Sequence, residues 1–162
     1  MTDQATNILD AAAGLFAEHG VSAVGMGEVA RAAGCSRATL YRYFADKREL
    51  HVAFVHREAR RIGALIPTDD LAEAVLASVR LVRERPELLA WFGAADAGTT
   101  AELAQSGEVI EALGLSAAGD PDAARWLVRV IVSLLIVPGR DDAEEREIVE
   151  RFVVPGLTGA GR

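Results

Sequence analysis

Arg37, Thr39, Tyr41, Arg42, Tyr43 and Lys47 bring charge, hydrogen-bonding reach and flat apolar surface into one short stretch of this 162-residue sequence. An arginine fork of donors matches a guanine edge. A threonine methyl can touch the methyl of thymine, and a tyrosine hydroxyl can bond a phosphate oxygen. Lys47 adds a positive charge at the start of a helix, where backbone N–H groups also favour an anion. Both tyrosines of the chain lie here, and between Arg31 and Arg48 five basic residues meet one acid, Asp46. Those side chains, displayed on one helix, suit the major groove of a DNA duplex.

Other chemistries lack their residues. His51 and His56 are five apart, about 140° around a helix, so they share no metal-binding face. Cys35 is the single cysteine, which leaves no intramolecular disulfide and no multi-cysteine zinc site. A small buried hydrophobe is its ordinary reading. Arg31 and Arg37 nearby keep a redox-responsive thiol as the alternative. No Ser/His/Asp or Cys/His arrangement, phosphate-cradling glycine loop or carboxylate pair stands out, so neither catalysis nor a cofactor is expected. The N-terminus lacks a signal-peptide pattern and no apolar run reaches membrane-spanning length, so the expectation is a soluble cytoplasmic protein.

The net charge of −7 argues against nucleic acid only while it is averaged. Through Ile66, eight Lys/Arg stand against seven Asp/Glu; beyond it, nine stand against seventeen. A local basic patch, not the whole-chain balance, is what phosphates respond to.

The elements that must position this patch are helical. Ile8, Leu9, Ala12, Leu15 and Phe16 recur at helical spacing before Gly20. Val29, Ala30 and Ala33 form a second stripe ending at Gly34, where a left-handed turn suits glycine. Ser36 caps a third helix through Leu40 and Phe44. Asp46 with Glu49 opens a long fourth helix to Ile66. All five prolines follow, starting with Pro67. Thr68-Asp69-Asp70 caps a helix through Val82, Glu87–Ala94 is short, and Thr100–Leu113 forms another. Asp120-Pro121 precedes Trp126–Val137, and Asp141 with Glu144 opens the last helix. The expectation is an all-α chain of about nine helices. Its divisions are 1–48 (a helix-turn-helix head), 49–66 (a connecting helix), 67–155 (effector binding and dimerisation) and 156–162 (a tail).

On pattern alone, the segment Met26–Phe44 is a helix-turn-helix that either enters DNA or forms an αα-corner with solvated charges. It also resembles the tetracycline-repressor-type (TetR) family of bacterial transcription regulators. The likeness runs from Ile8-Leu9-Asp10-Ala11-Ala12 and Leu15-Phe16-Ala17-Glu18-His19-Gly20, through Glu28-Val29-Ala30-Arg31-Ala32-Ala33-Gly34. It continues through Ser36-Arg37-Ala38-Thr39-Leu40-Tyr41-Arg42-Tyr43-Phe44 to Lys47-Arg48-Glu49-Leu50. The resemblance implies a homodimer with an N-terminal DNA-binding domain and a helical C-terminal domain for a small effector. By position, Arg37, Ala38, Thr39, Arg42 and Tyr43 would face bases or nearby phosphates, Tyr41 and Lys47 would hold the backbone, and Phe44 would join the core. Two departures stand out. Val24-Gly25-Met26-Gly27 replaces the usual Thr or Ser that opens the second helix, and the chain is short for the family.

In the acidic second half, Val75, Val79, Leu88, Trp91, Phe92, Leu103 and Ile110 could line a pocket for a small hydrophobic effector, or simply form core. Trp126, Leu127, Val130, Ile131 and Leu134 make one helix apolar on more than one face. Pairing it with Ile148 and Phe152 would build a two-fold four-helix interface. The reading is a ligand-responsive regulator released from a palindromic operator by its effector. Its rival is a dimeric helical module that binds a ligand or protein without an operator.

Overall fold

A computed structural model describes residues 4–66, 70–94, 98, 101, 105–113 and 120–158. The helices are α1 (Gln4–His19), α2 (Met26–Ala32), α3 (Arg37–Tyr43), α4 (Lys47–Gly63) and α5 (Leu71–Arg83). They continue with α6 (Pro86–Ala94), α7 (Gly107–Ala112), α8 (Pro121–Ile136) and α9 (Asp142–Ile148). A π-helical turn (Val149–Val153) carries α9 without a break into α10 (Val154–Thr158). No strand occurs among the described residues, as the all-α expectation requires. Among them, too, no helix is long and apolar enough to cross a membrane.

Local chemistry sets several helix starts. The Asp46 carboxylate accepts the Glu49 N–H at 2.7 Å, and the Glu49 carboxylate reaches back to the Ala45 N–H at 2.6 Å. This is a capping box shifted by one residue. Asp70 accepts from Ala72 and Glu73, Asp120 from Asp122, and Asp141 from Glu144. Each satisfies N–H groups that a first helical turn leaves without a backbone partner. Helix α4 stops at Gly63, short of the expected Ile66; the chain tightens there through Leu65 N–H to Ile62 O and Ile66 N–H to Gly63 O. Thr68 and Asp69 lie outside the described residues.

The helices sort into two compact units. The first holds α1 to α3, α4 as far as Glu58, and α6. Its core packs Ile8, Phe16, Leu40, Phe54 and Trp91, all at most 1% exposed, with Phe16 edge-on to Phe54 at 5.3 Å. Arg57 ties α4 to α1. Its guanidinium donates to the Asp10 carboxylate (2.8 Å), the Glu58 carboxylate (2.9 Å) and the Leu9 carbonyl (3.2 Å). With the Thr6 carbonyl at 3.5 Å, four acceptors in fixed places make burial of this arginine tolerable.

The second unit holds the rest of α4 from Ala59, with α5 and α7 to α10. Val75 and Val79 of α5 are buried in its core, as are Leu127, Val128 and Ile131 of α8 and Val149 of the π turn. Arg83 donates twice to the Glu145 carboxylate (2.8 and 2.7 Å) and once to the Leu134 carbonyl near the end of α8 (2.9 Å). Glu145 also accepts the Gly139 N–H at 2.8 Å, so a single ion pair joins α5, the end of α8, the following turn and α9.

Candidate nucleic-acid interface

The turn between α2 and α3 is dictated by three consecutive residues. Gly34 adopts φ +63°, a left-handed conformation that costs glycine little. Its N–H bonds to Arg31 O at 3.1 Å while Cys35 N–H bonds to Ala30 O at 2.9 Å, the paired bonds of a Schellman stop. Ser36 then caps α3: its hydroxyl oxygen accepts the Thr39 N–H at 3.0 Å and lies 2.9 Å from the Thr39 hydroxyl. From α1, the Asn7 amide donates to Ala33 O at 2.8 Å and pins the same turn. The direction of α3 is therefore fixed at its start by backbone, cap and a neighbouring helix together.

Only Leu40 of α3 is buried, with Phe44 buried just after it. At 100° per residue the direction opposite Leu40 falls between Ala38 and Arg42, both exposed, with Arg37 and Tyr41 along one flank. Tyr41 is 42% and Tyr43 36% exposed, and the Arg42 guanidinium lies 5.4 Å from the Tyr43 ring centre. Thr39 is half-buried because its hydroxyl turns back to the cap. Lys47, the single lysine of the sequence, is half-buried with its ammonium donating to Ser22 O at 3.2 Å. That bond holds the charge near the Val21–Ser22 turn, a restraint that nothing in the spacing announces.

Gly25 and Gly27 at the start of α2 lie beside polar side chains, and space demands glycine at neither position. Gly25 offers no hydroxyl as a cap, and the Glu28 carboxylate instead accepts the Gly25 N–H at 2.8 Å. At Gly27, a Cβ would stand 4.0 Å from an Arg37 guanidinium nitrogen, so Arg37 lies beside the first turn of α2. Nothing in the spacing of the sequence announces this neighbour of Arg37. Cys35 is half-buried in the turn. His51 faces inward on α4, edge-on to Phe16 at 5.3 Å, and burial followed by the nearby Lys47 charge lowers its pKa to about 4. Among the described residues no cluster of three His, Cys, Asp or Glu could hold a metal ion.

The residues expected around an effector are distributed over both units. Leu88, Trp91 and Phe92 sit on α6, which packs on α1 in the first unit, with Trp91 edge-on to Phe92. Val75 and Val79 are core residues of the second unit, where Val79 also borders a charged groove with Arg80, Arg83, Glu145 and Arg146. Ile110 borders a different cavity, between α7 and α8. Leu103 lies outside the described residues.

The expected dimer residues divide by face. Leu127, Ile131 and Leu134 are buried within their own unit, where α8 packs on α5. Trp126 is 37% exposed, Val130 and Ile148 are half-buried, and Phe152 is 63% exposed. Trp126 and Val130, four apart, make an apolar line along α8, and Val137, the non-helical residue that ends the helix, is exposed as well. Ile136, also exposed, lies beside that line.

Residues 8–54, which contain this whole interface, match the model for bacterial regulatory proteins of the tetR family. Over 96% of its length the chain is 44% identical to the uncharacterized HTH-type transcriptional regulator Rv1255c of Mycobacterium tuberculosis, covering 86% of that protein. The chain belongs to the TetR family. It is a DNA-binding regulator of transcription and not an enzyme. The TetR fold extends along the chain: a TetR transcriptional regulator from Rhodococcus sp. RHA1 superposes with a TM-score of 0.70 at 24% identity, over 98% of this chain and 99% of that one. The TetR family repressor AlkX from Dietzia sp. strain DQ12-45-1b, implicated in biodegradation of n-alkanes, gives 0.69 at 22% identity, over 96% and 95%.

Proposed function

We propose that this TetR-family protein is a repressor that binds a palindromic operator as a homodimer and leaves it when a small effector occupies the second unit. The observation that carries the reading is the outward face of α3. Leu40 and Phe44 anchor the helix from below, while Arg37, Ala38, Tyr41, Arg42 and Tyr43 are all exposed. In this reading Arg42 and Ala38 face base edges and Thr39 contributes its methyl. Arg37, Tyr41, Tyr43 and Lys47 grip the flanking phosphates. Two copies joined through the exposed stripe of α8, Ile148 at the end of α9 and Phe152 of the π-helical turn would place two α3 helices one DNA turn, or a multiple of it, apart.

Fluorescence anisotropy on DNA selected from a random pool tests the assignment. Arg42→Ala is expected to weaken binding about 10- to 100-fold, the range for one lost arginine contact to a base edge. Lys47→Ala is expected to lower the salt slope by about one unit while leaving sequence preference intact. Variants that bind as tightly as the parent, with unchanged salt slopes, would remove α3 and Lys47 from the interface.

A further inference from the structure

Arg37 is the first residue of α3, and the Gly34 stop and the Ser36 cap fix its backbone. Its side chain is exposed, and among the described residues its guanidinium makes no hydrogen bond and no ion pair. Arginines elsewhere are committed: Arg57, Arg80, Arg83, Arg140 and Arg146 each hold a carboxylate at 3.0 Å or closer. The Arg37 guanidinium lies instead beside Gly27 of α2, 4.0 Å from where a Cβ on that residue would stand. Gly27 lacks the left-handed backbone of Gly20 and Gly34, and a Cβ there would meet nothing closer than ordinary van der Waals contact. Glycine within a helix also costs stability relative to alanine. What the missing side chain leaves is a bare first turn of α2 beneath an uncommitted cation.

We propose that Gly27 is a positioning residue for DNA binding: its bare surface lets the Arg37 guanidinium lie across the seam between α2 and α3, where it takes a backbone phosphate and leaves the base edges to Arg42. The proposal rests on the α3 reading above and divides the work of its two arginines. In a helix-turn-helix the first helix crosses the phosphate backbone while the second enters the groove, so a cation drawn toward α2 meets phosphate. Arg42 lies near the direction opposite the buried Leu40 and points into the groove. A longer side chain at residue 27 would occupy the space that the guanidinium covers. Because the backbone of Arg37 is fixed, only its side chain can give way, and it would leave the seam.

The test is a cycle of variants on the full inverted repeat selected from a random pool, read as affinity and salt dependence. Arg37→Ala is expected to lower the slope of log affinity on log salt by about one while sequence preference is kept. Gly27→Leu is expected to do the same in the parent, yet to change affinity by less than about twofold once Arg37 is already alanine. Gly27→Ala, whose Cβ only touches the guanidinium, should bind within about twofold of the parent. Both substitutions favour the helix, so melting temperatures at or above the parent's separate positioning from damage to the head. If leucine destabilises the head, Gly27→Gln takes its place with the same expectations. An unchanged salt slope in the leucine variant overturns the role of Gly27. So does an equal loss in both backgrounds, which means that the new side chain itself meets the duplex, and so does an altered sequence preference, which means that Arg37 reads bases. Arg37→Ala binding like the parent removes Arg37 from the interface and this role with it, leaving Arg42 as the reader. A parent that selects no sequence overturns the α3 reading itself.

Discussion

The Nε2 atom of His51 is buried without a hydrogen-bond partner, and burial more than the Lys47 charge lowers its pKa to about 4 from an ordinary 6.5. Below pH 6.5 the unfolded chain takes up a proton that the folded head resists. Stability present above 6.5 is therefore lost as pH falls toward 4. Partial exposure of the ring keeps the loss to about 1–2 kcal/mol, less than the full shift implies. His51→Leu should flatten the pH dependence of the melting temperature between pH 7 and 5; an unchanged slope would place the proton uptake elsewhere. Glu145 acts in a lower window. The Arg83 guanidinium holds its carboxyl below the ordinary value of 4.5, so its contribution is present above that value and fades as pH falls through the lowered one.

At the scale of helices, the Arg83–Glu145 pair decides how α8 and α9 sit on α5. Arg83→Ala strands a carboxylate that is 5% exposed and frees the Leu134 carbonyl, so it should cost about 3 kcal/mol in chemical denaturation. A cost below 1 kcal/mol would mean that the apolar packing alone sets the arrangement. The helices themselves were legible wherever a local rule governs them. Gly34 marks the stop of α2, Ser36 the start of α3, and Asp46, Asp120 and Asp141 cap as their spacing to the next apolar run implies. Partnerships distant in sequence were not legible. Arg83 meets a residue 62 positions away, Ala112 meets Gly63, and α6 joins α1 in the first unit although it follows α5 in sequence. The faces of α8 resisted reading for another reason. Leu127 and Ile131 adjoin Trp126 and Val130 in a helix whose apolar residues spread beyond one face. They flank a polar stripe of Asp122, Arg125, Arg129 and Ser133, and packing on α5 decides which pair turns inward. The basic residues of the candidate interface were legible because exposure was all they required. The bond from Lys47 to Ser22 O was not, since an unmarked turn carbonyl accepts it.

For the whole molecule, the uneven charge has a consequence. The head carries the basic stretch from Arg31 to Arg48, and the strongly acidic remainder beyond Ile66 would be repelled by phosphates, which orients the head toward the duplex during encounter. Pairing through α8 and α9 makes a separate prediction. Phe152→Arg should reduce the light-scattering mass from twice that of one chain toward a single chain and weaken full-repeat binding by more than tenfold. A parent protein with the mass of one chain would exclude the dimer. Most direct of all is selection of bound DNA from a random pool by the parent and by Arg42→Ala, whose side chain lies near the centre of the exposed α3 face. The parent should enrich an inverted repeat with half-sites one helical turn or a multiple apart, and the variant should keep that spacing while losing preference at one symmetric pair of positions. Enrichment of no inverted repeat, or identical preferences in both proteins, would contradict recognition through paired α3 helices.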